Sequence, residues 1–357
     1  MTHASVSTLV DEAGVIVCCG SGGVGKTTVA AVLGREAARR GRQVVVVTID
    51  PARRLADALG LPGGLTGEPQ PIEVAGATGA LWATMLDTPA MFERVVRHHA
   101  GSAEQADRIV ANPFFGNIAG ALGGTQEYMA SEALYELHGD PRFDLVVVDT
   151  PPSRHALEFL EAPGVLTRFL NHPLFRIMML PTRASLRVVG VATQPLLKAV
   201  GKVVGGDVLA DTVAFFQAFA GMEQGFRERA EAVTGLLHAD ITRFVLVASP
   251  RPDAVAEAAW FADQLSARDF AVAATIVNRV LPRFGASPAE LPEASDASAR
   301  ALWSNLADLA ARAQAERAAI EPLTRPGRPP IVEVPRLATD VHGSATLDAL
   351  AAAMFGR

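Results

Sequence analysis

The segment Val15-Ile-Val-Cys-Cys-Gly20-Ser-Gly-Gly-Val-Gly25-Lys26-Thr27-Thr28 decides how this chain is read. Its first five residues, VIVCC, form the short apolar run expected of a strand buried on both faces. GxxxxGK[ST] follows at once, and residues 26–40 then carry a helical pattern. Strand, glycine-rich loop and helix in that order are the context a phosphate-binding loop requires. At average composition a chance match in a chain this long is roughly a one-in-a-hundred event, and the context lowers that further.

The chemistry accounts for the residue types. Glycines let the backbone curl so that successive N–H groups point at phosphate oxygens. The helix N-terminus adds partial positive charge. Lys26 can reach the β- and γ-phosphates, and the Thr27 hydroxyl can ligate Mg²⁺. Arginine would not replace Lys26, because its wide planar fork does not suit the tight loop. The candidate nucleotide contacts are therefore Gly20, Ser21, Gly22, Gly23, Val24, Gly25, Lys26, Thr27 and Thr28.

Working outward, five further runs resemble VIVCC: Gln43–Ile49, Asp144–Asp149, Phe244–Ala248, Ala271–Asn278 and Ile331–Pro335. Helical patterns lie near 26–40, 252–267, 298–318 and 345–355. The alternation predicts an α/β fold, a doubly wound, mostly parallel sheet of the P-loop NTPase type. Residues 88–138 and 153–238 break it, with much helical periodicity and little strand signal. The expected division is a nucleotide-binding core of residues 1–87, 139–160 and 239–357, with an inserted α-helical subdomain of residues 88–138 and 161–238.

Within the insertion, Leu196–Val204 is amphipathic, with Lys198 and Lys202 opposite its apolar side. Met178, Met179, Met222, Phe169, Phe175, Phe215, Phe216, Phe219 and Phe226 share the region. They read either as the subdomain's own core or as an apolar groove for a client helix. Leu61–Ala80, Leu281–Ser298 and Leu323–Pro330 read as loops.

Composition narrows the classes. The 357 residues carry 32 basic and 38 acidic side chains, a net charge of −6, which argues against a general nucleic-acid binder. Two cysteines, the adjacent Cys18 and Cys19, exclude a disulfide framework. On a strand they point to opposite faces and read as buried, inert thiols. The N-terminal stretch lacks the basic and apolar regions of a signal peptide, and no long apolar span is present, so a soluble, cytoplasmic protein is expected. Only three residues are lysine (Lys26, Lys198, Lys202), so 32 − 3 = 29 basic residues are arginine.

Three acidic or amide positions stand where a nucleotide hydrolase needs them. Asp149 ends the strand in DLVVVDTPPSRH and can hold Mg²⁺ through water. Asp50 ends the strand in VVVVTIDPARRLADAL and can orient the attacking water, or join Thr27 and Asp149 around the metal. Asn278 ends AATIVNRV, where its amide can pair with an adenine edge. Arg53 and Arg54 could contact phosphate or be solvated. Asp57 reads as a helix-surface carboxylate, the adjacent His98 and His99 as solvated or core side chains, and His155 as a packing or nucleotide-sensing residue.

Together GSGGVGKTT, DPARRLADAL, DTPPSRHALEFL, the VNR strand end and VEVPRL resemble the ArsA family of ATPases. That family includes arsenite-pump and tail-anchored-protein-targeting ATPases and belongs with MinD and ParA to the deviant Walker A group. The match runs from about residue 15 to the C-terminus. It looks most like the actinobacterial ArsA-like ATPases that occur as paired paralogues. The resemblance implies ATP and Mg²⁺ as cofactors, hydrolysis at a dimer interface, Asp50 and Lys26 as catalytic residues, and Thr27, Asp50 and Asp149 on the metal side. It also implies an adenine site at Asn278 and Pro335. Partners implied are a second ATPase subunit and a hydrophobic client helix or membrane protein.

The chain departs from the family at Ser21. Members usually carry lysine there and use it across the dimer, worth on the order of 3 kcal/mol. Two readings stay open: another cation, such as an arginine, replaces it, or a lysine-bearing paralogue supplies it in a heterodimer. The rivals to an active dimer are a weakly hydrolysing regulatory subunit and a MinD/ParA-type positioning ATPase. No cysteine lies in the helical region and no CxxC is present, so metalloid binding and a zinc-linked dimer are not expected.

Overall fold

The computed structural model describes residues 2–50, 52–113, 115, 124–171, 214–283 and 296–357. The chain divides into two compact units. One comprises Met1–Met85, Leu137–Ala156 and His238–Arg357, and the other Leu86–Glu136 and Leu157–Leu237.

The first unit is built on an eight-stranded sheet of order β3-β4-β2-β5-β1-β6-β7-β8. The strands are β1 (Val15–Gly20), β2 (Gln43–Thr48), β3 (Gln70–Ile72), β4 (Ala80–Met85), β5 (Leu145–Asp149), β6 (Thr242–Ala248), β7 (Val272–Val280) and β8 (Ile331–Pro335). Every pairing is parallel except β3 with β4. The α/β, mostly parallel sheet foreseen from the alternating runs is therefore present. The central β1, β5 and β6 are buried along nearly their whole length and carry the apolar stretches VIVCC, LVVV and FVLVA, which is why they read as unbroken runs.

Two strands were not foreseen. β3 lies inside the stretch Leu61–Ala80 that reads as a loop, and β4 starts at its end. Pro71 gives the three-residue β3 a non-strand signature, which an edge strand tolerates. In β4, Ala80, Trp82 and Met85 are only half-buried, so its pattern is neither a clean run nor a clean alternation.

Helix α1 (Thr2–Glu12) was likewise not foreseen; Val6, Leu9 and Val10 bury into the main core. Helix α2 (Lys26–Arg39) packs on the sheet through Val29, Ala30, Val32 and Leu33. Arg35, only 2% exposed, pairs with Asp348 of the helix Gly343–Phe355 at 2.9 Å. Helix α3 (Arg54–Leu59) is anchored by buried Leu55 and Leu59. The helices Pro252–Ser266 and Ala297–Ile320 follow the expected positions.

The second unit is helical among the described residues, with Thr88–His99, Ala103–Val110 and Glu223–His238 among its elements. Its core gathers Met91, Phe92, Phe115, Phe215, Phe219 and Phe226. Phe216 and Met222 are buried there too, so these aromatic and methionine side chains are a core and not an open groove. Met178, Met179, Phe175 and Leu196–Val204 with Lys198 and Lys202 lie outside the described residues, as does the side chain of Phe169. At its centre Glu132 is fully buried, accepting from the Tyr128 hydroxyl and from Arg229 Nε at 2.7 Å. No helix among the described residues is long and apolar enough to cross a membrane.

Candidate functional site

Parallel pairing brings the C-terminal ends of β1, β2 and β5 together: Asp149 is in register with Cys18 on one side and Thr48 on the other. Ligands of open α/β sheets bind at such strand ends. The loop Gly20–Gly25 leaves β1 here and turns into α2.

Two glycines are required by contact. A Cβ on Gly20 would stand 2.1 Å from the Val247 carbonyl oxygen. Gly25 has φ +99°, and a Cβ there would stand 2.4 Å from Asn278 Nδ2. Gly25 is also the N-cap of α2, and no side chain caps that end. The first N–H groups of the helix thus stay available to an anion.

Lys26 is 8% exposed and donates from Nζ to the Ser21 carbonyl oxygen at 2.9 Å. Burial pushes its pKa down, while Asp149 pulls it back up. Ser21, where the family usually has lysine, is itself buried and brings no charge.

Beside the lysine, Thr27 Oγ1 donates to Asp149 Oδ2 at 2.8 Å and Thr48 Oγ1 donates to the same oxygen at 2.9 Å. Asp149 is 1% exposed, and its Oδ1 has no hydrogen-bond partner among the described residues. Burial raises the carboxyl to about 6, against the lowering effect of the two hydroxyls. An orphaned, buried carboxylate oxygen next to a threonine hydroxyl is a hard-oxygen donor set that fits Mg²⁺.

The Asp50 carboxylate has other partners. β2 closes at Thr48, so Asp50 lies just beyond the strand end rather than on it. Its Oδ1 accepts from the Ala52 amide at 2.9 Å and its Oδ2 from Arg54 Nη1 at 2.6 Å. The structure thus joins Thr27 to Asp149 directly, and Asp50 meets them through its backbone: its N–H donates to Thr48 Oγ1 at 3.3 Å, the hydroxyl that also reaches Asp149.

On the other side of the loop is a cavity of about 740 Å³, within the range of small-molecule sites. Ser21, Gly22, Gly23, Val24, Thr28, Asn278 and Pro335, all expected contacts, line it. Asn278 is 5% exposed, and its Nδ2 donates to the Val24 carbonyl at 2.9 Å. Its amide N–H is thus turned to the loop, which the expectation of an adenine contact did not include.

Other residues were missed. Arg279 adopts φ +63° where the β7–β8 register shifts between Val277 and Val280, and its Nη1 donates to the Gly23 carbonyl at 3.1 Å. It is the arginine of VNR, but only the left-handed backbone turns it to the loop. Thr48 was missed as well; its place opposite Asp149 follows from register, which sequence does not carry. Cys18 and Cys19 are both buried, and burial raises their pKa values, to about 12 for Cys19. They are inert thiols beneath the loop.

A family model described as anion-transporting ATPase, the ArsA ATPase, matches residues 13–356. The chain belongs to the ArsA ATPase family. An ATPase named GET3 from Malassezia globosa is 32% identical over 156 residues, 44% of this chain and 44% of that protein. The putative arsenical pump-driving ATPase 1 of Aquifex aeolicus is 25% identical over 357 aligned residues, covering 96% of this chain and 78% of its own length. Protein Rv2184c of Mycobacterium tuberculosis is 35% identical over 170 residues, 45% of this chain and 40% of its own. The match thus spans less than half the length of the first and third of these relatives.

Proposed function

We propose that this ArsA family member is a cytoplasmic, Mg²⁺-dependent ATPase that works as a dimer and couples hydrolysis to its helical unit. The observation that carries the reading is the orphaned Oδ1 of Asp149 beside Thr27, at the uncapped start of α2. The loop amides and Lys26 bind the phosphates, and the cavity lined by Asn278 and Pro335 receives the base. Thr27 and Asp149 would hold Mg²⁺, which when bound neutralises phosphate charge as the terminal P–O bond breaks. Asp50 orients the water whose oxygen attacks the terminal phosphorus. The sheet unit is the nucleotide-binding core, and the helical unit is the inserted subdomain that meets a hydrophobic client or membrane-protein partner.

Ser21 favours a second reading, in which the chain is a weakly hydrolysing subunit and a lysine-bearing paralogue completes its site. One assay separates them: phosphate release by the pure chain, by Ser21→Lys, and by the chain mixed with such a paralogue. A gain of about a hundredfold in the last two supports the heterodimer. Full turnover by the unmodified chain alone supports the homodimer. No Mg²⁺-dependent phosphate release in any of the three overturns the ATPase reading.

A further inference from the structure

The Asp50–Arg54 pair has a use that the phosphate loop does not explain. The loop carries one cation, Lys26. Arg54 begins α3, whose backbone is fixed by buried Leu55 and Leu59, yet its own side chain is 67% exposed. The guanidinium is therefore tethered beside the site but free to swing. The neighbouring Arg53 points elsewhere: its guanidinium borders Gly64, where an added Cβ would stand 2.9 Å from Nη2. Arg54 donates instead to Asp50 Oδ2 at 2.6 Å, while the Ala52 amide holds Oδ1.

Both Asp50 oxygens are thus engaged, Oδ1 by a backbone amide and Oδ2 by the charged guanidinium. An exposed ion pair of this kind is weakly held. A terminal phosphate carries more charge than a carboxylate and matches the guanidinium fork. Lys26 feels both members of the pair: after burial, Asp149 and Cys19, the Arg54 charge lowers its pKa and the Asp50 charge raises it. The pair therefore lies within electrostatic reach of the group that meets the β- and γ-phosphates.

We propose that Arg54 is a phosphate-sensing cation: it covers Asp50 in the nucleotide-free protein and moves to the terminal phosphate of a bound nucleoside triphosphate, uncovering Asp50 for the attacking water. This rests on the ATPase reading above. It provides in the same chain a positive charge that Ser21 does not, and it links the presence of a third phosphate to readiness of the water-orienting carboxylate. A nucleoside diphosphate lacks the group that draws Arg54 away, so Asp50 stays covered.

The test uses the full chain and its Arg54→Ala, Arg54→Gln and Arg54→Lys variants, with ATP and ADP affinities from competition against a fluorescent nucleotide and kcat from phosphate release. The expected result for Ala and Gln is ATP binding weakened at least fivefold, ADP binding within twofold of wild type, and kcat reduced ten- to a hundredfold. Lys restores part of each. In an Asp50→Asn background, Arg54→Ala still weakens ATP binding but lowers kcat no further. A ratio of ATP to ADP affinity and a kcat both within twofold of wild type in Arg54→Ala overturn the Arg54 role while leaving the ATPase reading intact. A wild-type chain that binds neither nucleotide overturns both.

Discussion

The hydroxyl of Thr27 donates to Oδ2 of Asp149 across 2.8 Å, although 122 positions separate the two residues. The contact ties the phosphate loop to the end of β5 and leaves Oδ1 of the carboxylate facing no partner among the described residues. A carboxylate buried this way opposes folding through its desolvation, so its retention points to a ligand.

Replacing Asp149 by Asn or Thr27 by Ala is therefore expected to reduce Mg²⁺-dependent phosphate release by on the order of 100-fold. Asp149→Asn removes a buried charge, so the ligand-free protein at about pH 8 should melt at or above the wild-type temperature. A magnesium titration of turnover alongside a thermal melt checks both halves. Lower stability with unchanged turnover would assign Asp149 a structural role.

Gly25→Ala puts a methyl group 2.4 Å from Asn278 Nδ2 and forces a side chain into φ +99°. Strain of about 1–3 kcal/mol predicts nucleotide binding weakened by roughly ten- to a hundredfold. In an Asn278→Ala background the steric part disappears and only the backbone part remains. The cost of Gly25→Ala should therefore shrink there, which a double-mutant cycle on nucleotide affinity measures.

In the helical unit, Arg229 faces a glutamate that has no access to solvent, Glu132. Arg229→Ala leaves that carboxylate buried and opposed only by Tyr128, a loss of about 3 kcal/mol. The paired change Glu132→Gln with Arg229→Met should recover most of it. Urea unfolding of Arg229→Ala, Arg229→Met, Glu132→Gln and the paired variant decides the matter, and additive losses of the two matching singles in the pair would rule out coupling.

His99 packs on Phe226 with ring centroids 4.8 Å apart, and burial, then His98 and Arg229, lower its pKa from 6.5 to about 4. Between those values the unfolded chain binds a proton that the folded chain does not. Stability from this group is thus present above about pH 6.5, is lost as pH falls toward 4, and changes no further below. His99→Phe should flatten that part of the curve. Urea midpoints at about pH 7.5 and pH 5 test it; an unchanged slope in the variant would remove His99 as the cause.

Much of this architecture is legible in the sequence for a simple reason. Strands such as VIVCC and LVVVD are buried on both faces, and their composition shows it. The same logic fails at the sheet edge, where β3 contains Pro71 and β4 alternates irregularly. The phosphate loop was readable because its chemistry requires particular residues at fixed spacing. The neighbours that refine it were not. Thr48 meets Asp149 through register, Arg279 reaches Gly23 through a left-handed turn, and Arg54 looks in sequence like any arginine at a helix start.

The Asn278 amide that binds Val24 makes one side chain part of two surfaces, the wall of the cavity and the brace of the loop. On the proposed nucleotide reading, selection of the base and grip on the phosphates become a single equilibrium. On that reading, a purine that crowds Asn278 loosens the loop proposed to hold its phosphates. Discrimination among nucleotides by this protein will accordingly be written in product escape as much as in capture.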